Sequence, residues 1–209
     1  MKNPITLTTK RLTLRPLTMD DLQTVHTWQS DAESKRYNNS PHTDISETAE
    51  YLKENVVAEW ESNHQNNYNF GIEFEGKLIG EIAFSYGCGG CGRCKKGEAA
   101  IGYIIHKDFR GHGYEAEATS AIIEHCFSVL NAEIIKTSCD IESLDEINVI
   151  KSLGFMLKEE NETCEYSDGT PFVRNAYFLK NPNLAKKIYK NRRNGNNGTA
   201  NSNFSTNWH

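Results

Sequence analysis

The stretch 101–118, IGYIIHKDFRGHGYEAEA, decides how the rest of the chain is read. Ile101, Tyr103, Ile104 and Ile105 form a short apolar run of β-favouring residues, which predicts a buried strand. Arg110-Gly111-His112-Gly113 follows as a turn, and then Ala118, Ile122, Cys126, Val129 and Leu130 recur at helical spacing. A strand, a glycine turn and a helix start in that order make an anion cradle. The first amides of a helix lack internal partners, and the helix dipole favours negative charge there. Glycines let backbone approach a phosphate closely, and Arg110 adds a cation. An ordinary strand-to-helix connection is the plainer reading of a single Gly-x-Gly. The dinucleotide fingerprint is not met, since Ala116 stands at its third glycine, and no Gly-Lys-Ser/Thr closes a P-loop.

Outward from this stretch, residues 5–15 alternate and predict a first strand. Thr18-Met19-Asp20-Asp21 has the spacing of a capping box and predicts a helix to about residue 30. Residues 35–43 read as a loop, and 44–62 as a second helix with Ala49, Leu52 and Val56 inward. A hairpin over 67–86 turns at Glu75-Gly76-Lys77. After the long helix, 133–140 reads as a strand. Ser143-Leu144-Asp145-Glu146 then reads as a capping box opening a short helix, which Gly154 should end in a left-handed cap. Strands over 155–163 and 171–180 complete the pattern. One domain over 1–180 is expected, with a polar, Asn-rich tail over 181–209 that is partly disordered.

The 209 residues suffice for one domain with a real core. No apolar stretch approaches a membrane span, and the start lacks a signal-peptide apolar region, so a cytoplasmic protein without a membrane partner is expected. The net charge of −5 argues against broad nucleic-acid binding, despite the basic run over 185–193. Six cysteines then read as free thiols or metal ligands rather than disulfides.

Arg-Gly-x-Gly-Tyr preceded by Ile-Gly-Tyr resembles the acetyl-coenzyme A motif of the GCN5-related N-acetyltransferases (GNAT). Arg11-Leu12-Thr13-Leu14-Arg15-Pro16-Leu17, Glu75-Gly76-Lys77-Leu78-Ile79-Gly80 and Leu153-Gly154-Phe155 resemble the branch of ribosomal-protein alanine acetyltransferases. The resemblance spans roughly 5–180. It implies an α+β fold: a mixed, mostly antiparallel sheet with splayed middle strands and about four helices. It implies acetyl-CoA as cosubstrate, with pantetheine near Ile104 and His106 and pyrophosphate on Arg110, Gly111, His112, Gly113 and Tyr114. The first two helices and their loop would wall the acceptor site, making Tyr37, Asn38 and His42 substrate-contact candidates, although a solvated loop accounts for them equally. A homodimer is common in the branch.

Two departures bear on catalysis. The family commonly places a carboxylate where this chain has Ala100. Glu98, two residues upstream on the same strand face, is the candidate base, and Glu81 on the neighbouring strand is the reserve. The branch often carries Asn-x-x-Ser, its serine a candidate proton donor, where this chain has Ser143 and Glu146; the capping-box spacing explains that pair without chemistry. Ile150 stands where other branches often have a tyrosine. Separately, Cys88, Cys91 and Cys94 have zinc-like spacing, but a closed structural site wants a fourth ligand. The leading expectation is an N-acetyltransferase using direct attack in a ternary complex. The residues do not identify the acceptor; the branch resemblance favours a protein N-terminal amine, with polyamines or aminoglycosides open. The alternative is a silent coenzyme A-binding or metal-sensing module.

Overall fold

The amino-terminal alternation does not run as one strand. Strands β1 (Leu7–Thr8) and β2 (Leu12–Pro16) pair as a hairpin, and the Leu12 amide donates to the Thr9 hydroxyl across the turn at 2.9 Å. Lys10 and Arg11 are consecutive polar residues, and they break the alternation where the chain reverses. The computed structural model describes residues 5–31, 42–62, 66–87, 95–166 and 169–184. Tyr37, Asn38, the Cys88, Cys91 and Cys94 loop and the tail from 185 lie outside them.

The remaining strands are β3 (Asn67–Phe74), β4 (Lys77–Tyr86), β5 (Glu98–Ile105), β6 (Ile134–Asp140), β7 (Met156–Glu165) and β8 (Pro171–Lys180). One eight-stranded sheet results, ordered β1-β2-β3-β4-β5-β6-β8-β7. Every pairing is antiparallel except β5 with β6, as the mixed-sheet expectation requires. The parallel ladder covers only Glu98–Ala100 against Ile134–Lys136. Beyond it both strands continue unpaired with each other, and the Thr137 hydroxyl reaches the Ile101 carbonyl at 3.1 Å. The middle of the sheet is therefore splayed.

Helices cover both faces. The Thr18–Asp21 capping box forms and leads through a tight turn into α1 (Leu22–Gln29). The second helix is one rod in three parts: α2 (Ile45–Glu50), a widened π-helical stretch (Tyr51–Val57) and α3 (Ala58–Glu61). Such widened turns recur at functional sites. Val25, Trp28, Leu52, Val56 and Ile104 pack together on this side. On the opposite face, α4 (Tyr114–Ser128) and α5 (Leu144–Ser152) bury Ala118, Ile122, Cys126 and Ile150 against Ala99, Ile101 and Ile135. Gly154 adopts φ 84° after α5, the expected left-handed stop.

Candidate active site

The glycine turn is built to present amides. Gly111 and Gly113 adopt φ 78° and 75°, where a side chain would be strained. Among the described residues, no backbone acceptor takes the amides of Gly111, His112 or Gly113. A Cβ added at Gly111 would meet nothing within 4 Å, so the space above the turn is open. The Arg110 Nε donates to the Ile105 carbonyl at 2.9 Å, tying the turn to the end of β5. The Tyr114 ring is buried 4.9 Å from Phe74, so only its backbone faces the cradle.

Sequence reading missed what holds this turn from behind. Arg11 donates through Nη1 to the His112 carbonyl at 3.0 Å, and its guanidinium lies 4.6 Å from the Tyr114 ring centroid. Glu117, in the first turn of α4, fixes Arg11 by ion pair at 2.6 Å and also accepts from the Arg11 amide and the Thr9 hydroxyl. Burial works against the Glu117 carboxylate, but the bonds from Thr9 and Arg11 outweigh it and hold its pKa low. Arg11→Ala is expected to weaken acetyl-CoA binding about tenfold in a calorimetric titration, matching loss of a charge-assisted hydrogen bond.

The register decides which strand backbone looks into the splay. The His106 amide donates to the Ile79 carbonyl at 2.9 Å, and Ile104, paired with Glu81, belongs to the same β4-facing series. The groups turned toward β6 are those of Ile101, Tyr103 and Ile105. The His106 ring caps the turn that follows β5, accepting from the Asp108 amide at 3.3 Å.

The carboxylates differ sharply. Glu98 is ion-paired with Lys136 and accepts from the Lys95 amide at 2.9 Å. The Lys136 bond holds its pKa below the usual range, which suits a strand anchor better than a base. Glu81 lies on the same sheet face, directly across from Ile104 and beneath the α1–α2 wall. Its Oε1 accepts from Gln29 at 2.9 Å and Tyr51 at 3.2 Å, while its buried Oε2 has no partner. Burial pushes Glu81 up to about 7, against the opposing pull of Tyr51, Trp28 and Gln29. His42, expected on this wall, shares the buried Thr48 hydroxyl with His26, at 2.9 and 2.8 Å, and its ring lies 5.7 Å from that of Tyr51.

At the head of α5 the structure corrects the sequence. The Ser143–Glu146 capping box does not form, and the buried Ser143 hydroxyl has no hydrogen-bond partner. Ile150, at the alternative donor position, is simply core. Cys126 and Cys139 are both pushed up to about 12, chiefly by burial, and are unsuited to carrying an acyl group.

A family model described as "Acetyltransferase (GNAT) domain" matches residues 11–156. The chain belongs to the GNAT acetyltransferases. It is 28% identical over 152 residues to the uncharacterized N-acetyltransferase p20 of Bacillus licheniformis, covering 72% of this chain and 82% of that one. Among solved structures, the RimL ribosomal L7/L12 α-N-protein acetyltransferase superposes with TM-score 0.71 at 16% identity, covering 85% of this chain and 94% of RimL. The spermidine N-acetyltransferase of Vibrio cholerae, in complex with CoA and spermine, superposes with TM-score 0.69 at 17% identity, covering 83% and 97%. This GNAT protein is thus an acetyl-CoA-dependent N-acyltransferase. Among the described residues, no helix is long and apolar enough to cross a membrane, and no three His, Cys, Asp or Glu side chains gather as a metal site.

Proposed function

We propose that this GNAT protein moves the acetyl group of acetyl-CoA directly onto a protein N-terminal amine in a ternary complex, with Glu81 rather than Glu98 as base. The observation that carries it is Glu81 itself: a carboxyl of raised pKa opposite Ile104, whose Oε2 stays out of the Gln29 and Tyr51 bonds, with the Trp28 indole also drawing on the carboxylate. The cradle suits the coenzyme's pyrophosphate, because three free amides and a helix start converge on open space at Gly111. By register, the backbone turned toward the splay, where the pantetheine arm would lie, is that of Tyr103 and Ile105 rather than Ile104 and His106, with the Ile105 carbonyl already accepting from Arg110.

A thioester is already activated, so this chain has chiefly to position a neutral amine beside its carbonyl. Glu81 near 7 is charged often enough to take a proton from an ammonium and basic enough to hold it. Gln29 and Tyr51 fix Oε1, leaving Oε2 to receive the proton from an amine seated against β4 and β5. The buried, high-pKa Cys126 and Cys139 favour direct attack over an acyl-cysteine. The spermidine enzyme's similarity keeps a small polyamine acceptor as the second reading.

Wild type should bind acetyl-CoA in calorimetry. Gly111→Asp should lose at least about tenfold, because it sets a carboxylate where phosphate would lie. Thiol release is then compared across N-terminal peptides and polyamines. Turnover with polyamines alone would replace the protein acceptor, and no binding of acetyl-CoA would overturn the coenzyme site.

A further inference from the structure

We propose that His42 is a positioning residue for the base: clamped by the Thr48 hydroxyl, it braces both groups that donate to the Glu81 Oε1. This rests on the reading of Glu81 as base given above.

The two donors come from different elements. Gln29, the last residue of α1, donates to Oε1 at 2.9 Å, and Tyr51, the first of the π-helical stretch, donates at 3.2 Å. His42 reaches both. Its backbone amide donates to the Gln29 carbonyl at 2.8 Å, and its ring lies 5.7 Å from the Tyr51 ring at a tilt of 57°. One residue therefore holds the backbone of one donor and the ring of the other.

Thr48 fixes that residue in turn. Its side chain is fully buried, and its hydroxyl lies 2.9 Å from the His42 Nδ1 and 2.8 Å from the Nδ1 of His26, three residues before Gln29 on α1. A hydroxyl has one hydrogen, so it can donate to only one of the rings, and at least one ring must donate to it. The two ring orientations are thus set together. Joining α1 to the second helix does not require this triplet, because Val25, Trp28, Leu52 and Val56 already pack there. A satisfied polar network adds what an apolar contact lacks, a single fixed geometry.

The charges nearby leave this clamp neutral at pH 7. Burial lowers the His42 pKa, against the pull of Glu47 and with the help of His26. Glu47 is itself engaged by the Thr43 amide, and Asp44, which also feels His26, caps α2 through the Ser46 amide. Burial and then the Glu81 charge push Tyr51 well above the ordinary tyrosine range, so it keeps the hydrogen that it donates. The clamp therefore acts on Glu81 through the Gln29 and Tyr51 bonds. Both favour the charged carboxylate, so loosening them raises the Glu81 pKa further.

The test uses the full chain and three variants. Thr48→Val deletes the hydroxyl, His42→Phe keeps a ring beside Tyr51 but deletes Nδ1, and Thr48→Ser keeps the hydroxyl. In infrared spectra the Glu81 carboxylic-acid C=O band is identified by its absence in Glu81→Gln. Thr48→Val and His42→Phe should each raise the pH midpoint at which that band disappears by about 0.5–1 unit. Thr48→Ser should stay within about 0.2 unit of wild type. The rising limb of kcat, read with an N-terminal peptide or spermidine as the amine, should move equally. At pH 7 kcat should then fall about threefold and recover by about pH 9, with the acetyl-CoA KM within about twofold. An unmoved midpoint in both Thr48→Val and His42→Phe overturns the proposal and leaves Glu81 as base, even if kcat falls equally at every pH. A limb that survives in Glu81→Gln, or that stays put while the band midpoint moves, fails the base reading, and the positioning role falls with it.

Discussion

Glu81→Gln is expected to lower kcat by roughly 10²–10³ while leaving acetyl-CoA affinity within about threefold, because it removes a proton acceptor and keeps the shape. The wild-type rate should climb with pH through about 7, as the Glu81 carboxyl ionises. In the variant that limb should vanish, leaving a flat profile through the same range. A variant that keeps the limb removes Glu81 as base. Tyr51→Phe is a milder companion: it deletes a hydrogen bond that favours the charged carboxylate, so the limb should move to higher pH rather than disappear.

The same substitution should act on stability with the opposite sign. A carboxyl whose pKa is raised on folding binds protons more tightly in the native state. Native stability therefore falls as pH rises from the ordinary glutamate value, about 4.3, through the folded value of about 7. Integrated over that window the loss is about 4 kcal/mol at most. Glutamine carries no such penalty. Glu81→Gln should therefore unfold at higher urea than wild type at pH 8, with the difference shrinking toward pH 5. A more stable, less active variant is the signature of a charge kept buried for chemistry.

The parts of this site legible in the sequence are those encoded within a few residues. The strand, the glycine turn and the helix start are adjacent along the chain, and so are Gly154 after α5 and the Glu75-Gly76 hairpin turn, all with positive φ. What was not legible depends on register. Glu98 looks like a free strand-edge acid until the parallel ladder sets Lys136 one step along on the same face. Arg11 and Glu117 meet only because β2 and α4 pack together. Glu81, the reserve in the sequence, moves ahead of Glu98 once α1 and the π-helical stretch bury it among Trp28, Gln29 and Tyr51. Ser143 and Glu146 show the converse: local spacing spelled a cap, and the fold left both side chains free of it.

Gly80→Val tests whether the β4–β5 contact that places Glu81 opposite Ile104 is as tight as it must be. A Cβ on Gly80 would collide with the Ile104 carbonyl oxygen and come within 3.0 Å of the Ile105 Cα. Backbone cannot yield as a flexible side-chain end can, so the strands must part or slip. Overpacking of this kind costs about 1–3 kcal/mol and occasionally more, and here the obstacle is the ladder itself. We expect a loss of at least about 3 kcal/mol in urea unfolding, or roughly 6–12 °C in Tm for a domain of this size. Gly102, on β5, is the control. It is exposed, and an added Cβ meets nothing within 4 Å. Gly102→Ala should therefore stay within about 1 kcal/mol of wild type. Yet Gly102 shares its sheet face with Glu81, where the acceptor is proposed to sit. Gly102→Leu should accordingly raise the amine KM with little change in acetyl-CoA binding. If Gly80→Val is tolerated and Gly102→Leu is silent, the acceptor does not lie over β4 and β5, and Glu81 loses its claim to the proton.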